Sequence, residues 1–271
     1  MAYLRIDYNS NALRRTTTFD MLIPNDPPAD APKSEWEKPL YTLFLLHGYH
    51  AKAYNWVPDG LAQQYRFAIV IPTGENSFYL NGPATGTAYQ TMVGEELVDY
   101  VRRTFGLATS AENTCIAGLS MGGFGALHTG LAYPENFGKI GALSSALIIH
   151  EIAKMKPGAD NGMANYEYYV RQFGPLDELE ASDNNPETLV RKLKATGKKI
   201  PDIYMACGTE DFLLSANREM HAFLQKENVP HEYRESKGGH TPAFWSEHIV
   251  NIVKWMFGQN DAVKAGPKTL K

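Results

Sequence analysis

The first part of the chain has the hydrophobic pattern of two strands. Leu4, Ile6 and Tyr8 occupy every second position, which predicts a half-buried strand. A second strand is predicted from Arg14 to Ile23. The stretch 24–39 then contains five prolines and several charged residues, and this composition predicts an exposed connection.

Five later segments are apolar at nearly every position, which is the pattern of strands covered on both faces. These segments are Leu40–Gly48, Phe67–Pro72, Thr114–Gly118, Lys139–Ala146 and Asp202–Gly208. A sixth segment, residues 231–236, has the sequence HEYRES. Its short polar sequence favours the edge of a sheet.

Two segments have helical periodicity. Leu97, Val101 and Phe105 recur every four residues within the sequence GEELVDYVRRTF, and a second apolar stripe runs from Trp245 to Met256. Strands that alternate with helices predict an α/β fold with a mostly parallel sheet and helices on both faces. The first two strands have no helix between them, so we expect them to extend the sheet in antiparallel orientation.

The region from Leu147 to Ile200 interrupts this alternation. It contains scattered aromatic residues and the turn-forming string ASDNNPE. We interpret it as a cap-like insertion over the sheet, placed just before the strand that begins at Asp202. Residues 1–271 are expected to form a single domain, and the aperiodic segment from Gly258 onward is expected to fray.

The amino-acid composition excludes several classes of protein. Of the 271 residues, 44% are hydrophobic and 21% are charged, as in an ordinary globular chain. The formal net charge of -4 provides no basic excess for nucleic-acid phosphates. Two cysteines exclude a disulfide scaffold and fit a reducing compartment. Because no apolar run has the length of a signal sequence or a membrane span, the prediction is a soluble cytoplasmic protein.

Ser120 is the candidate nucleophile. It is the serine of a G-x-S-x-G pattern at residues 118–122, between an apolar strand and a helix of small residues. A serine on such a sharp turn needs neighbours without side chains, because a Cβ would clash with the strand or the helix. The start of the helix also directs free N–H groups and the positive end of its dipole at the serine oxygen.

A serine hydroxyl needs a general base, and His240 is the expected one. It lies in KGGHTPAFW, where loop glycines let the imidazole reach over the end of the sheet. Asp211 follows a buried strand and is expected to orient this imidazole, in the chain order Ser, Asp, His. The adjacent Glu210 is the alternative. Structural roles are expected for the histidines at 128, 150, 221, 231 and 248.

Acyl transfer also needs donors for the developing oxyanion. One candidate is the N–H of Met121, directly after the nucleophile. The second is the N–H of Tyr49, because Gly48 permits a turn that directs this amide into the site. His47 is expected to brace this loop. The candidate substrate contacts are His47, Trp56, Tyr79, Met155 and Phe212. No pattern of metal ligands and no nucleotide-binding motif is present, so neither a metal nor a cofactor is expected.

Five segments occur in a characteristic order: LLHGYHAKAYNW, PTGENSFYLN, GLSMGGFGA, CGTEDFL and GGHTPAFW. In this order they resemble the esterase D-like branch of the α/β-hydrolases. That branch includes tributyrin and acetyl esterases, cinnamoyl (feruloyl) esterases, acetyl xylan esterases of carbohydrate esterase family 1 and S-formylglutathione hydrolases. The resemblance extends from Tyr3 to Phe257 and implies an α/β-hydrolase fold with the triad and oxyanion hole named above. The string HGYH favours the tributyrin and cinnamoyl esterase branch over the S-formylglutathione hydrolases.

These observations predict a cofactor-independent serine carboxylesterase that acts on short-chain acyl or hydroxycinnamoyl esters. The expected substrate is a small-molecule or oligosaccharide ester, with acetyl or cinnamoyl groups on plant polysaccharide fragments as candidates. Two alternatives remain open, a thioesterase of the S-formylglutathione hydrolase type and a non-catalytic binding protein with a hydrolase fold. No nucleic-acid or membrane partner is expected. The acyl length, the alcohol and a homo-oligomeric state stay open.

Overall fold

The computed structural model describes residues 1–26, 41–50, 56–58 and 60–258. Most of the predicted exposed connection, and the predicted fraying segment after residue 258, lie outside the described residues. The eight strands are β1 (Ala2–Ser10), β2 (Arg15–Ile23), β3 (Tyr41–Leu46), β4 (Phe67–Pro72), β5 (Thr114–Leu119), β6 (Lys139–Leu143), β7 (Asp202–Gly208) and β8 (His231–Ser236). They agree with the strands expected from the sequence.

All eight strands form one sheet in the order β1-β2-β4-β3-β5-β6-β7-β8. β2 pairs antiparallel with both β1 and β4, whereas every pair from β4 to β8 is parallel. The expected antiparallel extension and parallel body are therefore confirmed. β8 lies at the edge, and its side chains are partly or fully exposed, as its polar sequence predicts.

Helices cover both faces of this sheet. They are α1 (Leu61–Tyr65), α2 (Tyr89–Thr91), α3 (Leu97–Phe105), α4 (Met121–Ala132), α5 (Ile149–Ile152), α6 (Tyr166–Phe173), α7 (Pro186–Ala195), α8 (Leu214–Lys226) and α9 (Pro242–Phe257). Short 3-10 turns cover Ala111–Asn113 and Leu179–Ala181. The main core cluster contains buried residues of α3, α4, α7 and α8. A second cluster contains those of α1 and α9. The prediction of helices on both faces is confirmed.

The helix predicted from Gly94 begins earlier in the structure. A π-helical turn, Met92–Glu96, joins α2 to α3. The Glu96 carboxylate accepts hydrogen bonds from the Ser10 hydroxyl and from the N–H groups of Asn11 and Ala12. This turn therefore holds the loop between the first two strands, a tertiary contact that local periodicity does not reveal.

The predicted insertion, residues 147–200, contains α5, α6 and α7. α7 packs against α4, so it joins the helical layer as part of the crossover between β6 and β7. Residues 147–185, which contain α5 and α6, form the part that we call the cap.

Candidate active site

Ser120 lies on the sharp turn between β5 and α4, with φ 54° and ψ -120°. This left-handed conformation is strained for a residue with a side chain. The surrounding backbone imposes it by close packing. A Cβ on Gly122 would lie 2.2 Å from the Leu46 carbonyl oxygen, and one on Gly118 would lie 2.2 Å from the Gly122 carbonyl oxygen. Glycine at both positions lets the strand and the helix approach and present the serine hydroxyl.

The structure brings Ser120, Asp211 and His240 together. His240 Nε2 lies 3.0 Å from Ser120 Oγ. His240 Nδ1 lies 3.1 Å from Asp211 Oδ1 and 3.0 Å from Oδ2. The three side chains follow β5, β7 and β8 respectively, and parallel strands end at a common edge of the sheet. One imidazole therefore connects a serine hydroxyl to a carboxylate.

Asp211 is held as a carboxylate. Burial alone would raise its pKa, yet its pKa lies below the ordinary value. Hydrogen bonds with His240 and with the Leu213 N–H, at 2.9 Å, favour the charged form. Glu210, the alternative acid, is exposed, and the described hydrogen bonds of His240 go to Asp211 and Ser120.

Ser144 supports this carboxylate, and sequence reasoning did not identify it. It is fully buried directly after β6, and its hydroxyl helps to lower the Asp211 pKa. Its Oγ also accepts a 3.2 Å hydrogen bond from Trp245 Nε1. The Trp245 ring packs edge-on against His240, with centroids 4.9 Å apart. A serine at a strand end gives no sequence signal of this role, because the contacts come from distant segments.

The two proposed oxyanion donors lie next to the nucleophile. Met121 is the first residue of α4, so its N–H belongs to the turn that has no partner within the helix. A Cβ on Gly48 would lie 3.5 Å from the Ser120 Cβ, which brings the peptide between Gly48 and Tyr49 close to the serine. Both Tyr49 and Met121 line the cavity that contains Ser120.

His47 fixes the orientation of this peptide. Its Nδ1 lies 2.9 Å from the Gly48 carbonyl oxygen, and its Nε2 accepts a 2.9 Å hydrogen bond from the Gly74 N–H. This pattern requires the neutral Nδ1–H tautomer, in agreement with the lowering of the His47 pKa by burial. Because carbonyl and N–H point in opposite directions across a trans peptide, the Tyr49 N–H is turned away from His47.

The remaining candidate substrate contacts need correction. A cavity of about 400 Å³ contains Ser120. Phe212 lines it, is 67% exposed, and packs on His240. The other four do not line it. His47 is buried, and both of its ring nitrogens are hydrogen-bonded. The buried hydroxyl of Tyr79 donates a hydrogen bond to the His47 carbonyl. Trp56 packs in the second core cluster, and Met155 packs against the main core cluster.

These residues do not line the cavity because large apolar side chains near an active-site motif often pack in the core beneath it. Tyr79 illustrates this, because its ring fills the space beside Gly74 and Gly125. The cavity is instead lined by residues of the cap that the sequence analysis did not select. These include Ile148, Glu151, Asn161, Met163 and Tyr169. Their spacing is irregular, so no periodic signal identified them.

The other histidines have separate contacts. His128 bonds the Asp183 carbonyl, His150 contacts Glu180 and Glu187, His221 contacts His231, and His248 contacts Ser236. Within the described residues, no group of three or more His, Cys, Asp or Glu side chains is arranged to hold a metal ion. Among the described helices, none combines the length and apolar character needed to cross a membrane.

Known proteins resemble this chain over nearly its whole length. The model of the Esterase family, described as "Putative esterase", matches residues 10–256. The acetyl esterase of Caldicellulosiruptor saccharolyticus is 41% identical over 266 residues, which cover 96% of this chain and 100% of the relative.

Solved structures share both the fold and the class of enzyme. Fluorophosphonate-binding serine hydrolase F of Staphylococcus aureus has a TM-score of 0.80 and 26% identity, covering 94% of this chain and 98% of that chain. The S-formylglutathione hydrolase of the same organism has a TM-score of 0.79 and 27% identity, with the same coverage. A ferulic acid esterase with 21% identity covers 95% of this chain and 97% of its own, and its TM-score of 0.68 shows the same fold. The chain therefore belongs to the Esterase family and is a carboxylic ester hydrolase with the α/β-hydrolase fold.

Proposed function

We propose that the protein hydrolyses short-chain acyl esters, acetyl esters above all, through an acyl-enzyme on Ser120. The observation that carries this proposal is the position of His240, 3.0 Å from Ser120 Oγ on one side and 3.0 Å from Asp211 on the other. The name of the 41% identical relative, an acetyl esterase, supports acetyl as the acyl group.

The first half of the reaction forms the acyl-enzyme. His240 Nε2 takes the proton of Ser120 as Oγ attacks the ester carbonyl carbon. The N–H groups of Tyr49 and Met121 stabilise the oxyanion of the tetrahedral intermediate. Asp211 remains ionised and stabilises the imidazolium. When the intermediate collapses, the bond to the alcohol oxygen breaks, and His240 protonates the leaving alcohol.

The second half releases the acid. A water molecule loses a proton to His240 and attacks the acyl carbon, with the same N–H donors on the oxyanion. The bond to Ser120 then breaks, and the imidazolium returns a proton to Oγ. The products are one carboxylic acid and one alcohol, and no cofactor takes part in this sequence.

The substrate of this proposal is a small-molecule or oligosaccharide ester. Hydroxycinnamoyl esters are the competing acyl class. A reducing, cytoplasmic location belongs to the same proposal, and it is compatible with Cys115 and Cys207, which are free and buried. Burial raises the pKa of both thiols to about 12, so they are inert at neutral pH.

The S-formylglutathione hydrolase reaction is the alternative, which the similarity to the staphylococcal enzyme favours. Glutathione carries two carboxylates, for which cationic partners would be expected. Glu151 is the one charged side chain among the described residues that line the cavity. The cavity thus presents a negative charge to the substrate, which disfavours a thiol ester whose two carboxylates outnumber its single ammonium group.

A panel of substrates tests the proposal. Wild-type enzyme and Ser120→Ala are assayed with p-nitrophenyl acetate, p-nitrophenyl butyrate, methyl ferulate, acetylated xylan and S-formylglutathione. We expect the highest kcat/KM with an acetyl ester and a loss of about 10⁴-fold or more in Ser120→Ala. If kcat/KM were higher for S-formylglutathione or methyl ferulate than for the acetyl esters, that substrate class would replace the acetyl esters in the proposal. Retained turnover in a folded Ser120→Ala variant would contradict the mechanism, and absence of turnover in the wild type would favour a binding protein.

A further inference from the structure

One corner of the active-site cavity is polar. Glu151, Asn161 and Tyr169 line it from the cap, whereas much of the remaining lining around Ser120 is apolar. Glu151 belongs to α5, and Asn161 belongs to the turn before α6. The carboxylate and the nucleophile thus share one cavity of about 400 Å³. A group on the substrate can reach this corner while its ester lies at Ser120.

Asn161 has a fixed orientation in this corner. Its Oδ1 accepts hydrogen bonds from the N–H groups of Met163 and Ala164, each at 3.1 Å. The amide oxygen must therefore face the backbone, and the amide nitrogen must face the other way. Nδ2 lies 3.2 Å from Glu151 Oε1 and 3.2 Å from the Tyr169 hydroxyl. The Glu151 side chain is exposed, and the turn thereby supplies its carboxylate with one oriented donor.

Glu151 keeps unused acceptor capacity. A carboxylate has about four lone-pair sites, and Asn161 uses one of them. The salt bridges of the described residues do not include Glu151. A carboxylate that faces a substrate cavity without a cationic partner is available for donors on the substrate. Hydroxyl groups are such donors, and a carboxylate binds them more strongly than a neutral acceptor does.

The geometry points to Glu151, held by Asn161, as a specificity-determining residue that accepts hydrogen bonds from hydroxyl groups on the alcohol part of the ester. The preferred substrates are then acetyl esters of polyols or sugars rather than of simple alkanols. This inference rests on the proposed function. It adds the residue that selects a hydroxylated alcohol, which neither the triad nor the relatives' names specify.

A matched pair of esters tests this inference. Monoacetylglycerol and propyl acetate have the same acyl group and the same three-carbon alcohol skeleton, and they differ by two hydroxyl groups. The measured quantity is the ratio of their kcat/KM values in the wild type, Glu151→Gln and Glu151→Ala. Glu167→Ala, which removes an exposed glutamate of α6 outside the cavity, is the control. Acetylcholine is included as a cationic ester without hydroxyl groups.

We expect the wild type to prefer monoacetylglycerol. Glu151→Ala should lower the ratio by about tenfold or more, since hydrogen bonds to a charged group are lost. Glu151→Gln should lie between the two, and Glu167→Ala should equal the wild type. An unchanged ratio in folded Glu151→Ala overturns the inference while ester hydrolysis itself stands. A loss confined to acetylcholine shows that Glu151 selects positive charge, which also overturns it. No hydrolysis of any ester by the wild type overturns the proposed function and this inference together.

Discussion

Ser144 shows how a residue outside the triad can act on its electrostatics. Its φ of 43° is unusual for a buried residue with a side chain. The strained backbone places the hydroxyl between the Trp245 indole, from which it accepts a hydrogen bond, and the Asp211 carboxylate. Trp245 therefore contacts His240 directly and Asp211 through Ser144. We interpret Ser144 as a positioning residue.

Removal of the Ser144 hydroxyl should weaken catalysis. In Ser144→Ala the Asp211 carboxylate loses a hydrogen-bond donor, so the Asp211 pKa should rise toward its ordinary value and the carboxylate should orient His240 less firmly. A reduction of kcat by about tenfold is expected, in line with one hydrogen bond to a charged group. The measurements are kcat for p-nitrophenyl acetate hydrolysis and the titration of the Asp211 carboxyl group by NMR.

The neighbouring serine provides a control for this change. The Ser145 hydroxyl is buried and has no hydrogen-bond partner among the described residues. Ser145→Ala should therefore preserve both kcat and the Asp211 pKa. If the two substitutions had equal effects, both effects would be due to packing, and Ser144 would have no positioning role.

Single residues could be predicted where the sequence pattern that marks them is local. Ser120 could be selected as the candidate nucleophile because its glycine neighbours and its strand–helix context are local. Asp211 and His240 followed from their order and from the strand ends on which they lie. Trp56 and Tyr79 could not be assigned correctly, since an aromatic side chain near a site can face the cavity or the core. Only the tertiary packing decides between these two environments.

At the scale of elements, His150 connects α5 to the rest of the cap and to α7. Its Nδ1 lies 2.6 Å from a Glu180 oxygen, and its Nε2 lies 3.1 Å from a Glu187 oxygen. Two carboxylate partners require both ring nitrogens to carry protons, which is the imidazolium form. Burial lowers the His150 pKa, but the two glutamates outweigh burial and raise it above its ordinary value. Arg191 also pairs with Glu187, at 3.1 Å.

Stability should therefore depend on pH through His150. Because the folded pKa lies above the unfolded value of 6.5, the stabilisation is complete below about pH 6.5 and is lost as the pH rises through the folded pKa. His150→Gln should lower the free energy of unfolding at pH 6 and have less effect at pH 9. The side chain is 39% exposed, so solvent screening limits the difference to less than about 1 kcal/mol.

Urea denaturation of both proteins at the two pH values measures this difference. His221→Gln is the comparison, because burial and His231 lower the His221 pKa. The effect of that substitution should not decline as the pH rises. A His150→Gln effect of the same size at pH 6 and pH 9 would contradict the charged pairing with the two glutamates.

Elements were predicted best where their pattern is regular. The strands of the parallel body are apolar throughout because helices cover both faces, and that signal is local. The sequence pattern did not separate α7 from the cap, although the buried face of this helix joins the main core. Which layer a helix joins is decided by the partner that covers its apolar face.

At the scale of the whole molecule, the site is assembled from distant parts of the chain. The Tyr49 loop follows β3, Ser120 follows β5, Asp211 follows β7 and His240 follows β8. Ser120 and His240 are 120 residues apart in the sequence. The distances within the site therefore depend on the complete pairing of β3 to β8, and no single supersecondary unit contains it.

Activity should for this reason return only with the complete fold. In refolding from urea, we expect esterase activity to recover together with near-ultraviolet circular dichroism and not before it. Fluorophosphonate labelling of Ser120, sampled during refolding, should follow the same time course. Labelling that precedes the tertiary signal would show that a partial structure already joins the base to the nucleophile.

The separation of Ser120 from His240 also has a consequence during synthesis. The ribosome adds about 5–20 residues per second, so the 120 residues between them take roughly 6–24 s at that rate. Throughout this time the growing chain carries the serine without its base. A serine hydroxyl has little reactivity alone, so the nascent chain cannot be acylated by cellular esters before its last parallel strand is available. The order of these residues along the chain thus delays the pairing of the serine with its candidate base until β8 has been synthesised.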